Sequence, residues 1–297
     1  MIYSLENSEI KIEVNSFGAE LKSLVLLEDK LEYLWQGNPD FWNRSSPVLF
    51  PIVGKLLDNT YTFNNKQYSM SQHGFARDKE FLLVKQNKNS LKFLLKSDDK
   101  SFEIYPFSFE LYISYEIKDK KLKVSYDVLN KSEDKMYFSI GAHPAFNWPL
   151  TQDKNESQED YYFEFEALEN DTLQRLPLLE NGISSKKEDV IIENKKLAIS
   201  KNTFTKDALI FKTESKTNKL NTIKLKNSKN DKFIQMDFEG FSHLGLWSKP
   251  SGAPFVCIEP WHGIADFIEH NQKLEDKEGI IKLEKDDTFS SSYFISI

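Results

Sequence analysis

The sequence predicts an all-β protein, a large antiparallel β-sandwich with only short helical turns. Three observations carry this. Apolar and polar residues alternate with a period of two along much of the chain, and a helical period is not sustained. No Pro/Gly/Ser-rich linker or composition shift divides the 297 residues, so one domain is expected over residues 1–297. A composition of 39% hydrophobic and 13% aromatic residues supplies a sizeable core at this length.

The elements follow in order. Ile10, Ile12 and Val14 alternate with Lys11 and Glu13 as a half-buried strand; residues 17–21 break it and residues 24–27 begin another. Asn38-Pro39-Asp40 offers a cap, a proline for the first helical position and an acid. A helix of one or two turns is therefore expected through Phe41-Trp42-Asn43-Arg44. The apolar run 46–55 holds Pro47 and Pro51, which predicts a buried irregular connection rather than a central strand. Tyr61-Thr62-Phe63 and Gln67-Tyr68, joined by Asn64-Asn65-Lys66, predict a tight hairpin.

Residues 81–84 and 91–95 read as strands. The clearest hairpin spans 107–128: Phe107, Phe109, Leu111, Ile113, Tyr115 and Ile117 face one way, Lys118-Asp119-Lys120-Lys121 turns the chain, and Leu122, Val124, Tyr126 and Val128 return. Residues 136–140 lead into Gly141-Ala142-His143-Pro144. The polar stretch 151–160 is a surface loop, 161–166 a strand, and 180–196 loops with short strands. Further strands are expected at 209–211, 222–225, 233–238, 244–247 and 293–297, with a helical turn at 265–269. Pro260 is expected to end the strand that carries Glu259.

Composition narrows the function. A net charge of −7 argues against nucleic acid, whose binding needs a basic face. No apolar run approaches the ~18 residues of a membrane span, and the first residues lack the basic and apolar segments of a signal peptide. The single cysteine, Cys257, allows no internal disulfide and sits in an apolar strand as a buried thiol. A cytoplasmic protein is expected, monomer or homodimer, with a small-molecule partner and neither nucleic acid nor membrane.

The chemistry centres on Phe255-Val256-Cys257-Ile258-Glu259-Pro260-Trp261-His262. Glu259 closes an apolar strand, where an acid is rare unless paired; the plain alternative is a strand-end carboxylate facing water. His143 also ends an apolar strand and, like Glu259, precedes a proline. Across a pocket, such a carboxylate and imidazole make a general base and a general acid. Apolar walls would raise the glutamate towards neutrality. No Gly-x-Ser-x-Gly elbow, phosphate loop, dinucleotide turn, HExxH or CxxC occurs, so neither cofactor nor metal is expected. His73, His143 and His262 are too scattered to carry a ligand-spacing signal. Only Arg44, Arg77 and Arg175 are arginine among 39 basic residues, which singles out positions where a planar fork is useful.

Gln72-His73-Gly74-Phe75-Ala76-Arg77, Gly141-Ala142-His143-Pro144-Ala145-Phe146 and Cys257-Ile258-Glu259-Pro260-Trp261 together resemble the motif blocks of the aldose 1-epimerase (galactose mutarotase-like) family. Asn43-Arg44-Ser45-Ser46-Pro47-Val48-Leu49-Phe50-Pro51 and Gly54-Lys55 match as well, especially its bacterial LacX-like branch. The resemblance implies the galactose mutarotase-like supersandwich fold, Glu259 as catalytic base, His143 as catalytic acid, and His73 and Arg77 beside the sugar hydroxyls. It also points to Asp207 as a sugar-binding carboxylate, although its surroundings differ from the galactose-specific pattern. Trp261, Phe75 or Phe146 offers an apolar platform to a sugar face. The implied activity is interconversion of the α and β anomers of an aldohexose, without cofactor. Two alternatives stay open. One is a hexose 6-phosphate 1-epimerase using Arg44, Lys55 and Arg77; the other is a non-catalytic carbohydrate-binding or sensing protein on the same fold. A hydrolase is less well served, since no second carboxylate stands beside Glu259.

Overall fold

The structure, a computed structural model, describes residues 1–151, 153–169, 171–214 and 219–297. Alternation in the sequence becomes alternation of burial. Along Phe109–Lys118, every second residue from Phe109 to Ile117 is buried. Its antiparallel partner, Lys121–Asn130, does the same.

Among the described residues, two nine-stranded antiparallel sheets dominate. One contains this hairpin and runs from Lys196–Ala198 at one edge to Leu82–Gln86 at the other. The second has His243–Trp247, Phe255–His262 and Ile140–Ala142 at its centre. A four-stranded sheet over residues 2–32 packs Ile10, Ile12, Val14 and Leu24 onto the same core. Leu111, Ile113, Val124 and Ile295 of the first large sheet meet Leu244, Leu246, Val256 and Ile258 of the second in one apolar cluster. Each of these side chains, fully buried, is worth about 1.5–3 kcal/mol.

Val256, Ile258 and Pro260 occupy one face of their strand, so Phe255, Cys257, Glu259 and Trp261 occupy the other. That face carries two smaller apolar clusters, one around Phe255, Cys257 and Ala145, the other around Trp261, Leu49 and Ile210. Glu259 lies between them.

Several local expectations are corrected. The strand does not end at Pro260 but runs on to His262, because Gly141 and Ile140 pair with Trp261 and His262. Residues 39–41 form a single turn rather than a helix: Asn38 accepts from Trp42 N at 2.9 Å, and nothing propagates it. Residues 265–269 are likewise a bridge and a turn. Thr172–Leu179 and Asp99–Ile104 lacked a clear sequence signal. Thr172–Leu179 is a strand despite Pro177 and an irregular burial pattern. Asp99–Ile104 is a helix started by a capping box in which Asp98 and Ser101 bond reciprocally, with serine where Glu or Gln is usual. Among the described residues, no helix is long and apolar enough to cross a membrane.

Candidate active site

The two prolines set the site up. Phe255–His262 pairs with Ala145–Asn147 up to Cys257 and with Ile140–Ala142 from Trp261 onward. Between those stretches the ladder is interrupted: by the shared register His143 falls opposite Glu259, Pro144 opposite Ile258 and Ala142 opposite Pro260. Pro260 has no N–H to donate, so an already broken ladder accommodates it. The same break brings the imidazole to the carboxylate: His143 Nδ1 lies 3.2 Å from Glu259 Oε2. No well-directed hydrogen bond joins them, and neither atom has another partner. Glu259 is 1% and His143 8% exposed.

Electrostatics push both groups towards neutrality. Burial raises the Glu259 carboxyl well above its usual range, and the nearby Asp207 charge adds to this. Burial lowers His143 to about 3, with the Arg77 cation contributing. Although the two atoms are close enough for an ion pair, burial of both favours carboxylic acid beside neutral imidazole. That form and the ion pair hold the same single proton. Loss of solvent is the stronger effect, because ion-pair attraction seldom repays the removal of two charges from water.

A cavity of about 1140 Å³ is lined by Glu259, His143, His73, Arg77, Asp207 and Trp261, among others. Six of the seven site residues expected from sequence thus share one cavity. Arg44 does not line it: its guanidinium is bonded to Asp78 at 2.7 Å, and Asp78 also neighbours Arg77. Lys55 does line it. His262 does not; it stacks on Phe241 at 4.4 Å and meets Ser291, on the strand's opposite face.

His73 and Asp207 both have left-handed backbones, with φ of 68° and 66°, a conformation that costs energy in a non-glycine residue and is common at functional sites. Gly54 N–H donates to His73 Nδ1 at 3.1 Å, so the proton of the neutral ring sits on Nε2, which lies 3.2 Å from the Gln72 side-chain amide. Burial first, then His143 and Arg77, hold His73 well below the ordinary imidazole range. Arg77 Nη2 donates to the Gln72 carbonyl at 2.7 Å, while its buried Nε has no hydrogen-bond partner and stands 3.8 Å from Asp78 Oδ2.

Trp261 donates from Nε1 to the Ala142 carbonyl at 3.2 Å, and its ring lies across Gly141 and Gly245. A Cβ on Gly141 would stand 2.5 Å from its Cδ1, so glycine on both flanking strands is what lets the indole lie flat. Trp42 and Trp247 were not singled out by the sequence reading. Trp42 packs on His143 at 4.8 Å, Trp247 approaches it edge-on at 5.6 Å, and both line the cavity. The only available signal for Trp42 was its position directly before the Asn43-Arg44 block.

Comparison with known proteins agrees with the motif blocks. Residues 1–277 match the aldose 1-epimerase family. The chain is 33% identical over 305 residues to the plasmid-encoded protein LacX of Lactococcus lactis subsp. lactis, covering 100% of this chain and 99% of that protein. It resembles the crystal structure of a galactose mutarotase related enzyme from Lactobacillus acidophilus with a TM-score of 0.92 and 34% identity, covering 100% of this chain and 97% of that one. A galactose mutarotase-like protein from Lactobacillus casei gives a TM-score of 0.90 and 30% identity, covering 100% and 99%. With its motif blocks gathered around one cavity and its similarity running from end to end, the chain belongs to the aldose 1-epimerase family.

Proposed function

We propose that the protein interconverts the α and β anomers of an aldohexose by acid/base opening and closing of the sugar ring. The observation that carries this is the Glu259–His143 pair, two buried titratable groups 3.2 Å apart on a cavity wall. Ring opening removes one proton from the anomeric hydroxyl and delivers one to the ring oxygen; nothing else is exchanged. The pair has the one proton and two accepting atoms that this needs. Moving the proton from Glu259 Oε2 to His143 Nδ1 produces carboxylate and imidazolium without altering the site's charge. Glu259 then accepts the anomeric proton and His143 donates to the ring oxygen. The bond between C1 and the ring oxygen breaks, the aldehyde rotates about C1–C2, and closure on the other face reverses both transfers. Each positioned transfer supplies roughly 10²–10⁴-fold.

The remaining residues are suited to hold the sugar. His73 Nε2–H and Arg77 are donors, Asp207 is an acceptor, and the Trp261 ring is an apolar platform. A neutral sugar is favoured over a phosphorylated one: Lys55, Arg77 and Lys206 share the lining with the acidic residues Asp58, Glu180 and Asp207, and Arg44 is committed to Asp78.

Magnetisation exchange between the α and β anomeric protons tests the reading, using glucose, galactose and glucose 6-phosphate. Enzyme-dependent exchange is expected with a free hexose. Exchange with the 6-phosphate alone would favour a phosphosugar epimerase. Sugar binding without exchange would favour a non-catalytic binding protein.

A further inference from the structure

The strand that carries Glu259 places a second reactive side chain on the same face. Cys257, two residues earlier, points to that side by alternation, in the cluster with Ala145 and Phe255. Ala145 is its partner across the ladder, and His143 stands two residues before Ala145. One ligand atom from each of His143, Cys257 and Glu259 therefore lies within 4.8 Å of the others. Cys257 is fully buried. His143 Nδ1 and Glu259 Oε2 are buried without a hydrogen-bond partner and face each other at 3.2 Å. Buried polar atoms are nearly always bonded, so two such atoms converging beside a thiol need an explanation.

We propose that His143, Cys257 and Glu259 form a binding site for a zinc-class divalent cation, and that the bound ion inhibits the enzyme by occupying the acid/base pair. Nitrogen, sulfur and oxygen are the donors zinc takes. Tetrahedral bonds of roughly 2.0–2.1 Å would set nitrogen and oxygen ligands about 3.3 Å apart, and the imidazole and carboxylate already stand at that separation. The thiolate takes a longer bond of ~2.3 Å, so closing the set needs a side-chain adjustment of roughly 1.2 Å at most. Three protein ligands leave a fourth position, directed at the cavity that His143 and Glu259 line. Calcium and magnesium are poorly served, since they need several oxygen ligands and the site offers one carboxylate. Binding stands on the ligand geometry alone. Inhibition rests on the proposed acid/base reading, because the ion would take the lone pairs that carry the proton.

Cobalt(II) is the probe, because a thiolate ligand gives it a sulfur-to-metal charge-transfer band in the near ultraviolet. Chelator-treated full-length protein is titrated with cobalt chloride, and zinc chloride is then added. One equivalent of cobalt should produce the band and zinc should remove it. Cys257 is the single cysteine of the chain, so any thiolate band reports this site. Cys257→Ala, checked for fold by circular dichroism, should lose the band and bind cobalt at least about tenfold more weakly. Absence of the band in the wild-type protein, or its persistence in Cys257→Ala, overturns the site. In parallel, zinc should abolish anomer exchange and EDTA should restore it. Cobalt ligation without inhibition would leave the site standing, overturn the inhibitory role and count against Glu259 and His143 as the acid/base pair.

Discussion

Glu259 and His143 are each driven to neutrality by burial, and this has consequences for both rate and stability. His143, lowered to about 3, stays unprotonated through the range where a free imidazole, at 6.5, would titrate. The pair gains its second proton only in strong acid. Activity above the uncatalysed rate should therefore hold steady from pH 7 down to about pH 5; an acid limb centred near 6.5 in a polarimetric pH series would show instead that the imidazole titrates as if free. The stability effect has the opposite sense for Glu259. Its folded pKa is raised, so the stability contributed by the neutral acid is present below the ordinary carboxyl value of 4.5 and is lost as pH rises through the folded value. Glu259→Gln removes that loss. The variant should be inactive yet unfold at a higher temperature than the wild type at pH 8, by about 2–4 °C for each kcal/mol gained, with the difference shrinking towards pH 4.5. Calorimetry at both pH values checks this; an equal difference at both would remove burial of the acid as its cause. These two residues were legible in the sequence because each ends an apolar run at a proline. Their separation was not, since it depends on where a ladder breaks.

The Phe255–His262 strand shows why that break matters. Read locally, Pro260 ends a strand; in the sheet it falls opposite Ala142, inside an interruption of the ladder between the two paired stretches. The strand can then continue and hold Cys257, Glu259 and Trp261 on one face. Trp261 in turn depends on Gly141 and Gly245, which are apart from it in sequence and adjacent only through strand register. Gly245→Ala puts a methyl group against Cζ2 at 2.6 Å, and a buried indole has no flexible end to yield. A stability loss of about 1–3 kcal/mol is expected, together with reduced kcat/KM as Trp261 shifts against Glu259. Denaturant unfolding and anomer-exchange rates measure the two; unchanged values for both would show that the indole has room to move. Alternation made the strands readable, whereas Thr172–Leu179, with a proline and irregular burial, lacked the periodic signal that identified the others.

Across the whole molecule, the sandwich faces its large core inward and leaves the opposite face of one sheet for the cavity. The loop that closes one side of that cavity is tied down by a buried ion pair. Lys277 Nζ lies 2.9 Å from Asp266 Oδ1 and also donates to the Ile264 carbonyl, while Asp266 Oδ2 accepts from Leu57 N at 3.0 Å. Burial alone would raise Asp266, but His270 and Lys277 outweigh it and bring the carboxyl to about 2. Asp266→Ala leaves the Lys277 charge buried and unpaired, which should cost about 3–5 kcal/mol. A thermal shift within a degree of the wild type would contradict this. Such a pair could not be read from sequence, where residues 265–269 suggested only a helical turn. The all-β architecture could, because alternation is a property of each strand alone.

The most direct test is polarimetry of freshly dissolved α-glucose and α-galactose with wild-type protein and with Glu259→Gln. Acceleration above the spontaneous rate that disappears in the variant is the expected result. No acceleration of either sugar by the wild-type protein, or undiminished acceleration by Glu259→Gln, would contradict the assignment of Glu259 and His143 as the acid/base pair of an aldohexose epimerase.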